Sequence, residues 1–389
     1  MAGMSTLNHR DRLILNIYKI LYTGHLRLYG SFIPLSSILK ISALALLSAY
    51  TSYKIISYYI NSRIKKCSSI PSYRIPLRDM MKDDAVIKGL MMDDGRWISY
   101  CEYGNLNSPN VIFYCHSLGG SRLERHPNHE QVARELNVRF IHLDRPGYGQ
   151  STTHDERTYL TFAHDLNQVS KALHIERYAV MGVSSGAPYA LACAHYHQKH
   201  NSDKLVCAVA VSSDLPYREL PECDYSPYLK DYQFLIRFAP FLLRVFMNVE
   251  IYKNVFSNPE RYTQHILHYE STLYEHEGDD LKTFLHSCVD FMREGMNAHG
   301  IQEPFREVKM ERSEWGFQLN DIVNIPIIFW HGARNKLIPI KLVRKITDKM
   351  EAAGCRVNMN EVAKRGHYFY MNTNRWREMI VHCLLHFKT

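Results

Sequence analysis

The sequence contains no C-x-x-C pair, no N-x-[ST] acceptor with a permitted middle residue, no internal repeat and no low-complexity tract. Its nine cysteines are odd in number and scattered in spacing, which leaves no metal-binding or redox motif. Several sit inside apolar runs, where a free thiol behaves as a small hydrophobe. These absences favour a reducing, cytosol-facing location for the folded part of the chain. Acidic residues are almost missing from the first fifth: residues 1–78 hold eleven Lys/Arg and one acid, Asp11. Of the 47 Lys/Arg and 39 Asp/Glu in the whole chain, 36 and 38 are therefore left for the rest, which is close to neutral. The formal charge of +8 belongs to the N-terminal region, and neither a basic cluster nor a binding motif elsewhere calls for a nucleic-acid partner.

Long hydrophobic runs are equally scarce. Only residues 41–60, ISALALLSAYTSYKIISYYI, are long enough to cross a bilayer. Lys54 lies near one end, where it can snorkel, and Tyr50, Tyr53, Tyr58 and Tyr59 suit a membrane interface. The run begins too late for a simple secretory signal and lacks a small-residue cleavage site. Upstream, residues 10–30 mix basic residues with Leu, Ile and Tyr as an interfacial amphipathic helix does. The expectation is membrane association through a single-pass or interfacial N-terminal anchor; the competing reading is a helical extension packed on the soluble domain. Both flanks of 41–60 are basic, so orientation stays open.

From residue 84 onward, short β-branched and aromatic runs alternate with helical patterns. Residues 86–103 read as two antiparallel strands turning at Asp93-Asp94-Gly95. Strands follow at Val111–Cys115, Arg139–Leu143, Tyr178–Met181, Leu205–Ser212, Ile325–Trp330 and Arg356–Glu361. Helices are expected near 127–137, 158–174, after Ser184, at 339–353 and at 375–387. Near-continuous apolar strands separated by helices predict an α/β fold with a mostly parallel sheet covered on both faces. The division expected is an N-terminal region 1–83, an α/β core at 84–213 and 321–389, and a helical cap at 214–320 inserted between two strands. A cap so placed overlies the strand ends, where open α/β sheets bind ligands, and its apolar residues are expected to line a substrate pocket.

The chemistry concentrates at Gly182-Val183-Ser184-Ser185-Gly186, a G-x-S-x-G pattern set between the strand ERYAVM and the helical run APYALACAHY. That context makes Ser184 the nucleophile of a strained strand-to-helix elbow, with small residues flanking it as the turn requires. The Ser185 backbone N–H faces the oxyanion hole in such a turn. A second donor is expected from the Gly-rich loop His116-Ser117-Leu118-Gly119-Gly120-Ser121-Arg122, with Leu118 N–H the candidate.

These motifs, with Asp144-Arg145-Pro146-Gly147-Tyr148-Gly149-Gln150-Ser151, Trp315-Gly316-Phe317, His331-Gly332, Ile338-Pro339 and Gly366-His367, resemble the α/β-hydrolase superfamily, especially its capped esterase/lipase-like members, over residues 84–389. The resemblance implies a structural role for loop 144–151 and a general base at His367. Two departures stand out. Ser117 occupies the place of a usual glycine, and Asn335, in His331-Gly332-Ala333-Arg334-Asn335, stands where the family carries its acid. An amide neither stabilises an imidazolium nor fixes the tautomer a base needs; in a serine protease the corresponding Asp-to-Asn change costs about 10⁴ in kcat. Asp214, just past strand Leu205–Ser212, is the candidate substitute, since some α/β-hydrolases take their acid from that strand end. The expectations are therefore a serine hydrolase of lipophilic carboxylic esters using Asp214, a slow Ser–His dyad oriented by Asn335, or a catalytically inactive ligand-binding or scaffold protein. Neither metal nor cofactor is required for any of them.

Overall fold

The computed structural model describes residues 88–125, 128–260 and 288–388, together with 25–28 and 31–34. The chain divides into two units, 1–80 and 81–389. In the first, strands β1 (His25–Leu28) and β2 (Ser31–Pro34) pair antiparallel, Leu26 opposite Ile33. The end of the stretch read as an amphipathic helix is thus extended. His-Leu-Arg-Leu alternates polar and apolar residues with period two, which suits a strand rather than a helical face. Residues 41–60 lie outside the described residues; among the described residues no helix is long and apolar enough to cross a membrane.

The second unit is built on eight strands: β3 (Lys88–Met91), β4 (Trp97–Gly104), β5 (Val111–Cys115), β6 (Arg139–Leu143), β7 (Tyr178–Val183), β8 (Leu205–Val211), β9 (Ile327–Gly332) and β10 (Val357–Val362). Their order across the sheet is β10-β9-β8-β7-β5-β6-β4-β3. β3 and β4 pair antiparallel, as does β4 with β6, and every other neighbouring pair is parallel. The five central strands β5 to β9 are almost wholly buried, as their unbroken apolar runs require.

Alternate residues of each strand feed two cores. Phe113, Val180, Ala208 and Phe329 pack with helices α2 (Tyr159–Ala172), α3 (Ala187–Lys199) and α7 (Ile340–Ala352). Ile112, Tyr114, Met181, Val209 and Ile328 pack on the other face with α1 (His129–Glu135) and α8 (Thr373–Leu384), centred on Trp376. Between β8 and β9 runs an insert containing α4 (Pro227–Phe238), α5 (Pro240–Phe246), helical residues 288–296 and α6 (Gln302–Arg312).

β5 has β6 on one side and β7 on the other, so the chain reverses its direction of travel across the sheet at β5/β7. Loops leaving the carboxyl ends of two such strands diverge and open a crevice. The loop 116–122 and the Ser184 turn are the two loops that leave there.

Candidate active site

β7 is buried throughout and delivers Ser184 at its carboxyl end with φ +53°, followed by a 3-10 turn Ser184–Gly186 and then α3. A left-handed conformation costs a residue with a Cβ roughly 1–2 kcal/mol, and such strain persists where the surroundings enforce it. They do so here by close backbone packing. A Cβ on Gly182 would overlap the carbonyl of Gly186, and one on Gly186 would overlap the carbonyls of Cys115 and His116. Both glycines are therefore steric requirements of the turn. The Gly186 contact also sets the elbow directly against the loop that follows β5.

That loop is pinned from two sides. The Ser117 carbonyl accepts from His116 Nδ1 at 2.9 Å, Gly120 N–H at 3.1 Å and Arg145 Nη2 at 3.2 Å, while Arg145 Nη1 bonds the His116 carbonyl. Glu124 takes Ser117 N–H at 2.9 Å, the Ser117 hydroxyl at 2.6 Å and the Tyr114 hydroxyl at 2.7 Å. Burial pushes the Glu124 carboxyl above its ordinary range. The Ser117 side chain thus adds a hydroxyl donor to the backbone N–H that any residue there would offer the buried carboxylate. Leu118 and Ser185 donate no backbone hydrogen bond to another described residue, and the Ser185 hydroxyl has no partner among them.

His367 follows β10 and is buried, 3% exposed. Its Nδ1 lies 3.1 Å from Asn335 Nδ2. The Asn335 Oδ1 accepts two backbone N–H groups, Leu337 and Ile338, each at 3.0 Å. Those donors fix which end of the amide faces the ring, so Asn335 donates and Nδ1 accepts. The neutral imidazole then carries its proton on Nε2. Burial, with the nearby His331 ring adding to it, holds His367 down to about 3. The turns after β9 and β10 that carry the pair are themselves in contact: Arg334 N–H bonds the Arg365 carbonyl at 2.8 Å, and a Cβ on Gly332 would overlap the Gly366 carbonyl.

The end of β8 ties these parts together. Ser212, at φ +45°, donates its hydroxyl to the His367 carbonyl at 2.6 Å. Two residues on, Asp214 N–H reaches the Ser184 carbonyl at 3.3 Å. The Asp214 side chain points elsewhere, with Oδ1 accepting the Tyr217 hydroxyl at 2.7 Å. Burial, only partly offset by that hydroxyl and reinforced by Glu307, pushes Asp214 up to about 6. Burial and then Asp214 push Glu311 well above the carboxylate range. The structure therefore brings Asn335, not Asp214, onto the ring of His367.

Several residues of the site carried no sequence signal of their own. Glu303, Glu307 and Glu311 recur every fourth residue along α6, and all three are buried. Glu307 forms a bidentate pair with Arg145, at 2.7 and 2.8 Å, and accepts the Tyr148 and Tyr189 hydroxyls at 2.8 Å each. Ser212 and Glu124 are likewise visible only in three dimensions. Among the described residues no cluster suits a metal ion. The apolar lining expected of the insert falls partly on residues 261–287, outside the described residues.

The α/β-hydrolase fold family model matches residues 110–372. The sequence has no significant match among curated proteins. Among solved structures, the chain is similar to an esterase from Exiguobacterium antarcticum, at 16% identity and a TM-score of 0.54, over 76% of this chain and 98% of that one. It is similar to a bromoperoxidase from Bacillus anthracis at 17% identity and a TM-score of 0.53, over 78% and 100%. A bacterial membrane phospholipase A aligns over 91% of this chain and 98% of its own, at 16% identity and a TM-score of 0.52. Identities this low speak to the fold alone.

Proposed function

Since the chain belongs to the α/β-hydrolase fold family, we propose that it is a serine hydrolase of carboxylic esters whose turnover is slowed by the amide at Asn335. The observation that carries this reading is Ser184 held at φ +53° on the carboxyl end of β7 between two sterically obligatory glycines. In this reading Ser184 Oγ attacks the acyl carbon, its proton passes to Nε2 of His367, and the Leu118 and Ser185 N–H groups receive the oxyanion. The alcohol leaves with the proton from His367, and water activated by the same ring releases the acid.

The base is the slow part. With Nδ1 accepting from Asn335, Nε2 already bears a hydrogen and has no lone pair for the serine proton. Moving that proton to Nδ1 sets two donors face to face. Turning the amide instead gives up its bonds to Leu337 and Ile338, and a buried group left unsatisfied costs about 1–3 kcal/mol. Asp214 does not relieve this, since its carboxyl is committed to Tyr217.

A lipophilic substrate is supported by the exposed Phe234, Phe238, Leu242 and Phe246 of the insert, 44–62% exposed, and by residues 41–60, which we read as a membrane anchor. The second reading, a ligand-binding protein without turnover, is favoured by one observation, the Asn335 donor on His367 Nδ1. A fluorophosphonate probe with a p-nitrophenyl ester series from acetate to decanoate separates the two. Labelling at Ser184 with slow, chain-length-dependent hydrolysis is expected; folded protein that neither labels nor hydrolyses any ester overturns the enzyme reading. Flotation of the full chain with anionic liposomes tests the anchor, and a chain left wholly at the bottom of the gradient rejects it.

A further inference from the structure

The resemblance gives loop 144–151 a structural role only. Arg145 does something more specific there. Its guanidinium is fully buried and forks in two directions. One side grips Glu307 through Nε and Nη2; the other reaches the carbonyls of His116 and Ser117. The Tyr148 and Tyr189 rings lie about the guanidinium, their centroids 5.1 and 4.9 Å from its carbon. Their hydroxyls bond Glu307, so the carboxylate accepts four donors and holds the fork in one orientation.

A trans peptide points its C=O and the following N–H in opposite directions. Fixing the Ser117 carbonyl therefore fixes the Leu118 N–H, and fixing the His116 carbonyl fixes the Ser117 N–H. The Ser117 N–H is absorbed by Glu124, 2.9 Å away. Leu118 N–H is turned away from Arg145 and donates to no other described residue. We propose that Arg145 and Glu307 are positioning residues that aim the Leu118 N–H at the oxyanion, an inference that rests on the reading of Leu118 as an oxyanion donor. Glu307 belongs to α6 of the insert, so the insert and not the core alone sets the donor's direction. A plain structural ion pair would tie insert to core equally well, and the test has to separate the two.

Arg145→Lys keeps the buried charge but loses the fork, while Tyr189→Phe removes a single donor to Glu307 and is the milder variant should Arg145→Lys not fold. Each is compared with the full-length parent by near-ultraviolet circular dichroism, ester kinetics, inhibition by an aryl trifluoromethyl ketone, and the amide resonance of 15N-leucine at Leu118. Loss of an oxyanion donor costs about 10²–10³ in kcat. For Arg145→Lys the expected result is a fall of about 10² in kcat and in affinity for the ketone, which forms an oxyanion on addition of Ser184, with KM moving by less than about threefold. Tyr189→Phe is expected to shift in the same direction by about tenfold or less. The Leu118 amide resonance shifts in both, whether or not turnover is measurable. A folded variant with parental kcat and ketone affinity, or with an unmoved Leu118 resonance, overturns the positioning role. If the parent itself is neither labelled by fluorophosphonate nor inhibited by the ketone, the hydrolase reading falls while the resonance still decides the positioning role.

Discussion

The two halves of the site handle buried polar groups in opposite ways. Around loop 116–122 the charges are kept and saturated: Glu307 accepts from Arg145 twice and from two tyrosines, and the Arg145 fork holds two carbonyls. Around His367 the charge is absent, with an amide against a neutral ring. A buried carboxylate is stable when its lone pairs are met by donors, and Glu307 is such a case. At 335 the two backbone donors of Leu337 and Ile338 would suit a carboxylate equally well. What asparagine changes is the third contact, the one to the ring. The protein is well able to bury a carboxylate against Arg145, Tyr148 and Tyr189, and at 335 it holds an amide instead.

The sharpest way to break this contrast is Ser184→Ala, which should abolish fluorophosphonate labelling and lower ester turnover by at least about 10⁴, or to the uncatalysed rate. Persistent turnover would relocate the chemistry. Next comes Asn335→Asp. A carboxylate held by the same two N–H groups accepts Nδ1–H, which frees Nε2 for the serine proton. A gain in kcat of up to about 10⁴ is expected. The pH–rate profile sharpens the assignment. The parent's ring, at about 3, leaves its acid limb near or below pH 4, whereas the carboxylate in Asn335→Asp raises the ring and moves that limb upward. Unchanged kcat and profile in folded Asn335→Asp would mean that something other than the tautomer limits the site.

Acid should destabilise the fold by a smaller factor. Burial holds His142 and His367 down to about 3, and His331 to about 4. Histidine titrates near 6.5 in the unfolded chain, so between about 6.5 and 4 the unfolded state binds more protons and stability falls as pH falls. From pH 7 to 5 each of the three contributes a loss of about 2 kcal/mol. Asp214, raised to about 6, has the opposite sign: below pH 6 its folded form binds the proton that the unfolded form, near 3.8, does not, and it returns about 1 kcal/mol. Glu124, Glu303 and Glu311, also held up by burial, act in the same direction as Asp214 and offset part of this loss. The rings are therefore checked by their own NMR titration: all three are expected to stay neutral from pH 7 to 5, and a ring that gains its proton above pH 5 contradicts the assignment. The smallest effect is assigned to Asp214→Asn, which should change kcat by less than about threefold because its carboxyl serves Tyr217. A hundredfold loss with the fold intact would restore Asp214 as the acid.

Much of this architecture was legible in the sequence for identifiable reasons. Val111–Cys115 and Arg139–Leu143 were read to the residue because a doubly covered parallel strand must be apolar at every position. Ser184 was legible because a strained turn demands glycines at fixed offsets, whereas Asn335 stood out only through the resemblance to the α/β-hydrolase pattern. Glu307 was not, since a carboxylate every fourth residue along a helix ordinarily faces water, and only the folded position of Arg145 turns that face inward. Asp214 sits at the expected strand end. Which way its side chain points was decided by Tyr217 in the following turn, a contact that no strand pattern carries. The N-terminal stretch departs from the helical reading at His25–Leu28, where the period-two alternation of four residues is easily lost in a window of twenty.

One contact deserves a mechanical reading. A Cβ at Gly295, in the helical residues 288–296, would overlap the carbonyls of Gly119 and Gly120, while the Gly295 carbonyl accepts Gly149 N–H at 3.1 Å. Insert and loop 116–122 meet there main chain to main chain, like two gears engaged at one tooth. At 295 itself a single methyl is a wedge, able to prise the insert from the loop without touching one charge or one hydrogen-bonding side chain.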